Sequence, residues 1–534
     1  MTAAVAAPAH PRNPLEEIAL VQSDNDASCD DALTARDLTL AVYAPFGSDQ
    51  TLSTFPGGTT HGIAEHPLVG NLKKVAADGV RVVALVDLYD LDTYLVEIPP
   101  GKPDAIEIRS RGKLQMDSPN TLTELLVVAH ASAPRAHLVL TLEGHGAGFM
   151  PDLDLRLQTV ANETGNGAYQ WRLGAEPKGH LVSQPLTHDG EPVVPSGAPV
   201  LPIVGPTSAS NHPTISTWGL GAALRASQEK GAPRPSVVHF NVCFDMAIEV
   251  LYTIAPYAVA ATGYCNYNFF SAGDAYPLVF GRLAAAGSAT PLELAKWFAA
   301  ENHKVLLEAG HEPTVAGTVE LRRLRGIAER LDDLSDALLD ALRGASPAER
   351  PAVVDKIRNA IIAAQQYDSN ADYVLETPDE LTDLDSLAFE LAKADFSPYK
   401  VAAAAQALRE ALRGIKQYGD VDTPWMAPGD LWDFSSKNLA MSIFLPDPLL
   451  NGLWDWRSQY YLDINPDPSR PQLQRHIIEF LKVTDWVDFL IEYHRTTPFI
   501  GLLAPQVPDM PVLGQVFDAK HPARVRDPRR PPKL

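Results

Sequence analysis

SVVHFNVCFDMAIEVLYTIAPYAVAATG, residues 236–263, holds two short apolar runs with a helical pattern between them. Ser236 to Asn241 and Tyr257 to Thr262 carry Val, Ala and Phe without strict alternation, as strands buried on both faces do. A helix is expected to begin near Met246. Strand, helix and strand in this order make one step of a parallel sheet. Outward from it the same grammar repeats, with strands expected at Leu38 to Ala44, Val80 to Val86 and His137 to Leu142. Leu91 to Ile108 reads as a two-stranded excursion. Helix starts are legible at Thr121 with Glu124, a capping box, and at Thr290, Pro291 and Glu293. The expected core is α/β, a doubly wound, mostly parallel sheet flanked by helices.

Composition agrees with a folded chain. Of 534 residues, 46% are hydrophobic and 21% charged, which is ordinary for globular proteins. A single core seldom grows past about 300 residues, so more than one packing unit is expected. The division read from the sequence is an N-terminal extension (1–36), a core (37–316), an α-rich C-terminal domain (317–500) and a Pro/Arg-rich tail (501–534) expected to be disordered. Within the core, residues 151–216 form a Gly/Pro/Ser-rich connection far longer than usual. In the C-terminal part, helices are expected at Val319 to Leu342, Glu349 to Gln366, Leu384 to Ala394, Val401 to Tyr418 and Trp486 to His494, with a strand at Ser442 to Pro446.

A net charge of −22 argues against nucleic acid as partner, since phosphate contacts need clustered Lys and Arg. No stretch reaches the roughly 20 apolar residues of a membrane span, and the N-terminus lacks a basic segment followed by an apolar one. A cytoplasmic protein is expected. The three cysteines, Cys29, Cys243 and Cys265, form no disulfide framework and no metal-ligand spacing. Neither a GxGxxG between strand and helix nor a GxxxxGK[ST] occurs, which sets nucleotide binding aside.

Two strand ends carry chemistry. His137 to Leu142 runs into Glu143, Gly144, His145, Gly146, Ala147 and Gly148, and Ser236 to Asn241 runs into Val242 and Cys243. Ligands of open parallel sheets bind beyond the carboxyl ends of strands, so an imidazole and a thiol could face one substrate there. A thiol is only partly ionised at neutral pH, and a helix start just after Cys243 would lower its pKa. Taken singly, a cysteine and a strand-end histidine are equally at home in a core.

Together the segments resemble a family. NVCFDMAIEVLY (241–252) is similar to the clostripain-family segment in which Asp-Ala-Cys precedes Ile-Glu-Val and a tyrosine. LVLTLEGHGAGF (138–149) is similar to the family strand ending in His-Gly-x-Gly and an aromatic. LAVYA, NLKKVAADGVRVVALVD, TVELRRLRGIAERLDDLSDAL, MSIFLPDP and WVDFLIEYH follow the family order. The resemblance implies a caspase-like fold and a cysteine endopeptidase acting on protein or peptide substrates. Cys243 would be the nucleophile, His145 its partner, and the backbone N–H groups of Gly146 and Cys243 the oxyanion hole. It implies no cofactor, with Ca²⁺ left open; the helices of residues 319–418, read as packing on the sheet, leave room for a regulatory protein partner. Self-cleavage between the two catalytic residues is expected at Arg156, Arg172 or Lys178. The family's preference for Arg or Lys before the scissile bond is in doubt, because its acid two positions before the thiol is Asn241 here. Asp245, Asp274 and Tyr264 are the remaining pocket candidates. The competing reading is an inactive caspase-like binding or regulatory protein.

Overall fold

The computed structural model describes residues 28–48, 50–54, 62–89, 91–152, 159–165, 168–174, 215–310, 313–369, 375, 379–421, 432–446, 457–462 and 475–497. In chain order the strands are β1 (Leu38–Pro45), β2 (Arg81–Asp87), β3 (Thr93–Ile98), β4 (Glu107–Ser110), β5 (His137–Glu143), β6 (Thr159–Gly165), β7 (Ala168–Gly174), β8 (Val237–Asn241), β9 (Ala260–Tyr264), β10 (Val315–Glu320), β11 (Gln366–Tyr367), β12 (Leu381–Asp383), β13 (Lys416–Gly419) and β14 (Ser442–Phe444). Nine form one sheet in the order β13-β10-β9-β8-β5-β1-β2-β3-β4. The five central strands from β9 to β2 run parallel. Antiparallel strands close both edges.

Helices cover both faces. Pro67–Ala77, Tyr276–Ala286 and Pro291–Lys304 pack through Leu68, Val279 and Leu294 on one side. Pro119–Ser132, Thr217–Glu229 and Ile248–Ile254 pack through Leu122, Leu220 and Ile248 on the other. That second core is continuous with the C-terminal helices Leu324–Gly344, Arg350–Ala363, Leu384–Lys393, Val401–Leu412 and Trp486–Thr496. The doubly wound sheet and the helical C-terminal region are therefore as expected.

Several boundaries differ for physical reasons. The segment expected to open a helix at Val319 is still strand, because β10 pairs with β9 from Ala316 to Glu320; its helix starts at Leu324. Residue 316 thus falls inside β10. The helix expected to run to Tyr418 stops at Leu412, where Gly414 takes φ 81°, a conformation glycine adopts without penalty, and the chain re-enters the large sheet as β13. No capping box forms at Thr121: the helix begins at Pro119, and the Thr121 hydroxyl donates to the Gln115 carbonyl at 2.7 Å. The strand expected from Tyr257, β9, begins instead at Ala260. The 151–216 connection contains the β6–β7 hairpin; Arg172 lies in β7, while Arg156, Lys178 and the 501–534 tail lie outside the described residues. Among the described residues no helix is long and apolar enough to cross a membrane.

β11, β12 and β14 form a second, antiparallel sheet. Its last strand reaches the main core directly, since the Ser442 N–H donates to the Met246 carbonyl at 3.0 Å. The capping box at Thr290 is present, with the Glu293 N–H on the Thr290 hydroxyl at 3.3 Å and the Glu293 carboxylate on the Thr290 N–H at 2.8 Å. Thr290→Ala is expected to lower stability by about 1 kcal/mol in urea unfolding, whereas an unchanged midpoint would show that the cap contributes nothing.

Candidate active site

Parallel pairing sets the geometry. Glu143, the last residue of β5, stands opposite Asn241, the last of β8. His145 and Cys243 each lie two residues beyond that pair, on strands whose neighbours stand about 4.8 Å apart. The two turns touch. A methyl group added at Gly146 would lie 2.1 Å from the Cys243 carbonyl oxygen and 2.8 Å from a Val242 methyl, so only glycine allows this approach.

Phe244, directly after the thiol residue, has φ 62°, a left-handed conformation that costs a bulky residue roughly 1–2 kcal/mol. The turn is held by the Phe244 N–H on the Asn266 carbonyl at 3.1 Å and the Met246 N–H on the Tyr264 carbonyl at 3.0 Å. Cys243 is half-buried, and its sulfur accepts the Asn268 N–H at 3.4 Å. The helix expected at Met246 begins instead at Ile248 and spans seven residues. The anticipated lowering of the thiol pKa is absent: burial pushes Cys243 up to about 12, against the Asn268 hydrogen bond.

Asp245 does something the sequence did not suggest. Its carboxylate accepts the Gly148 N–H at 3.0 Å and also bonds the Ala147 backbone, tying the thiol turn to the histidine loop. It caps no helix, and burial raises its pKa to about 7. Arg457 grips the same loop from outside, donating to the Ala147 carbonyl and, at 3.2 Å, to the Phe149 carbonyl. A recess at the carboxyl ends of β1, β5 and β8 is lined by Tyr43, Pro45, His145, Gly148, Thr217 and Asp245. It lies where the strand order turns back, β1 standing between β2 and β5, which is where ligands settle in open α/β sheets.

On the opposite face Asn241 is fully engaged. Its amide donates to both Glu143 oxygens at 3.1 and 3.0 Å, and its oxygen accepts from Asn268 at 2.9 Å and Asn302 at 3.3 Å. Tyr276 also donates to Glu143. Burial lifts Glu143 to about 8, so it holds its proton at neutral pH. Of the other pocket candidates, Asp274 lies outside this network, exposed and bonded to Asn71 at 2.6 Å, while Tyr264 is buried among Ala299, Leu306 and Ala316 with its hydroxyl against Asn302, at the network's edge. Cys265 is buried as a core residue. Sequence reading missed Glu143, Asn268, Tyr276 and Arg457; only the register of β5 on β8 exposes the Glu143–Asn241 pair.

Among the described residues one group of acids could hold a cation, Asp332, Asp336 and Asp485. It sits at a junction of C-terminal helices, where Asp332 accepts the Asp485 N–H at 2.8 Å, not on the loops of His145 and Cys243.

No family model and no curated protein matches the chain. It resembles solved C11 cysteine proteases. A secreted C11 cysteine protease of Bacteroides thetaiotaomicron, "iotapain", is 11% identical over 76% of this chain and 93% of its own, with a TM-score of 0.47. A secreted C11 protease from the same organism, in complex with an irreversible peptide inhibitor, gives 13%, 80%, 97% and 0.47. An inactive zymogen C11 protease of Parabacteroides distasonis gives 14%, 83%, 99% and 0.46. Identity this low assigns no residue a role.

Glu143 makes stability depend on pH. In the folded chain it keeps its proton to about pH 8, and when unfolded it releases it near 4.5. Between those values the folded state binds the extra proton, so stability falls as pH rises and levels off above about 8. Glu143→Gln should flatten this decline in urea midpoints measured from pH 5 to 8.5; an unchanged slope would mean that Glu143 is ionised in the fold.

Proposed function

We propose that the chain is a cysteine endopeptidase of the clostripain type, working through Cys243 and His145. One observation carries the reading: parallel, in-register strands bring the histidine turn and the thiol turn into backbone contact at the carboxyl edge of the sheet. The ordered likeness of its segments to the family supports it.

Burial keeps the proton on sulfur, so proton transfer from Cys243 to His145 accompanies attack on the scissile carbonyl. The new C–S bond leaves a tetrahedral oxyanion, for which this reading assigns the N–H groups of Cys243 and Gly146 as donors. The Cys243 N–H already lies against its own sulfur. Loss of one such donor typically costs about 10²-fold or more in rate. Collapse breaks the C–N bond, and His145 returns the proton to the leaving amine. Water then attacks the thioester while His145 takes up its proton, releasing the acid and the thiol.

A preference for Arg or Lys would need an ionised acid in the pocket. At the family's position stands Asn241, saturated by its neighbours, and the adjoining Glu143 is neutral at pH 7. Asp245, the remaining acid of the recess, is taken up by the Gly148 and Ala147 N–H groups and by the Arg457 charge, so we read the pocket as offering no acid to a basic side chain. The alternative, an inactive binding protein, draws on the raised thiol pKa alone.

Hydrolysis of fluorogenic peptides varied at the residue before the scissile bond separates these readings. Wild type should cleave, with neutral residues at least equal to Arg and Lys, and Cys243→Ala should lose on the order of 10⁶-fold, the scale of nucleophile removal in other hydrolases. Equal turnover in both proteins would end the peptidase reading. Self-processing at Arg156, Arg172 or Lys178 belongs to the same reading: wild type should show two fragments on a gel where Cys243→Ala stays whole, and matching intact bands would remove it.

A further inference from the structure

We propose that Arg457 is a positioning residue of the histidine loop, which makes the 457–462 segment part of the catalytic apparatus. The proposal rests on the peptidase reading above.

Arg457 is 5% exposed, a burial rare for arginine unless it is paired. Its guanidinium donates to the Ala147 and Phe149 carbonyls and lies 5.2 Å from the centre of the Phe444 ring. Between those carbonyls Gly148 has φ 67° and turns its own N–H toward Asp245. The loop carrying His145 is thus clasped from two sides: a carboxylate takes its N–H groups, a guanidinium takes its carbonyls. Four residues after Arg457, the Tyr461 hydroxyl donates at 2.7 Å to Glu249, in the helix that follows the thiol turn. Glu249 also accepts the Phe444 N–H at 2.9 Å. One short segment therefore reaches both the histidine loop and the helix that follows the thiol turn.

Arg457 is also the cation facing two buried acids. Asp245 and Glu249, each pushed up to about 7 by burial, both feel its charge. Asp245 also acts on the Cys243 thiol of its own turn, and His145 lines the same recess. Removal of the guanidinium takes a donor from the Ala147 and Phe149 carbonyls and raises the pH at which Asp245 ionises. A carboxylate that gains a proton accepts the loop N–H groups less well, so the acid limb of activity moves to higher pH.

The test uses the full chain with Arg457→Met and Arg457→Lys, following Cys243 alkylation by a peptidyl acyloxymethyl ketone across pH, with iodoacetamide as a reagent that needs no positioning. Arg457→Met should react with the peptidyl probe about 10- to 100-fold more slowly, with its acid limb shifted up and its iodoacetamide rate within about twofold of wild type. Arg457→Lys should keep the wild-type limb and recover part of the rate. A peptidyl rate for Arg457→Met equal to wild type overturns the proposal. So does a slower rate with an unshifted limb in both variants, which marks a merely structural role. Should Arg457→Met not fold, an Arg457→Lys rate and limb equal to wild type overturns it. Wild type that the peptidyl probe fails to label, while iodoacetamide does label it, removes the peptidase reading and this proposal with it; a labelled wild type confines any failure to Arg457.

Discussion

The parallel pairing of β5 with β8, ending on Glu143 opposite Asn241, is the constraint on which the site depends. A slip of one residue would turn every side chain of β8 to the other face of the sheet. His145 and Cys243 would then leave their strands at different heights. The close approach of Gly146 to the Cys243 carbonyl fixes the same register a second time, because no larger residue fits between the turns. Below it the buried Glu143–Asn241 pair adds a polar lock within an otherwise apolar sheet. Buried polar groups that find all their partners favour one arrangement over its near alternatives.

The C-terminal half is not an appendage to this arrangement. It contributes β13 to the large sheet and continues the hydrophobic core on one face. β14 reaches the turn after Cys243, Arg457 reaches the histidine loop, and Tyr461 reaches the helix that follows the thiol turn. Burial of this region also sets the electrostatics, since the desolvated acids Asp245 and Glu249 share one buried cation.

Much of the fold was legible because apolar runs of strand length punctuated by Gly and caps are local signals. β1, β2, β5 and β8 fall within a residue of the runs that announced them. Where strand and helix periods overlap, as at Val319 and from Lys416, local pattern favoured helix and long-range pairing overrode it. His145 and Cys243 were legible as residues at strand ends. Their environment was not. The expectation of a helix beside the thiol failed because a left-handed Phe244 and three more residues intervene before Ile248. Glu143 and Asn241 lie 98 residues apart, and Arg457 lies 310 from Ala147; no sequence window joins them.

The central claim is spatial, that an imidazole and a thiol share one gap. Replacing the first by a second thiol tests it without reference to turnover. His145→Cys, treated with dibromoacetone, digested and analysed by mass spectrometry, should yield a peptide bridged between positions 145 and 243. Recovery of those positions only as separately alkylated peptides, or bridging of Cys243 to Cys265 instead, would contradict the account.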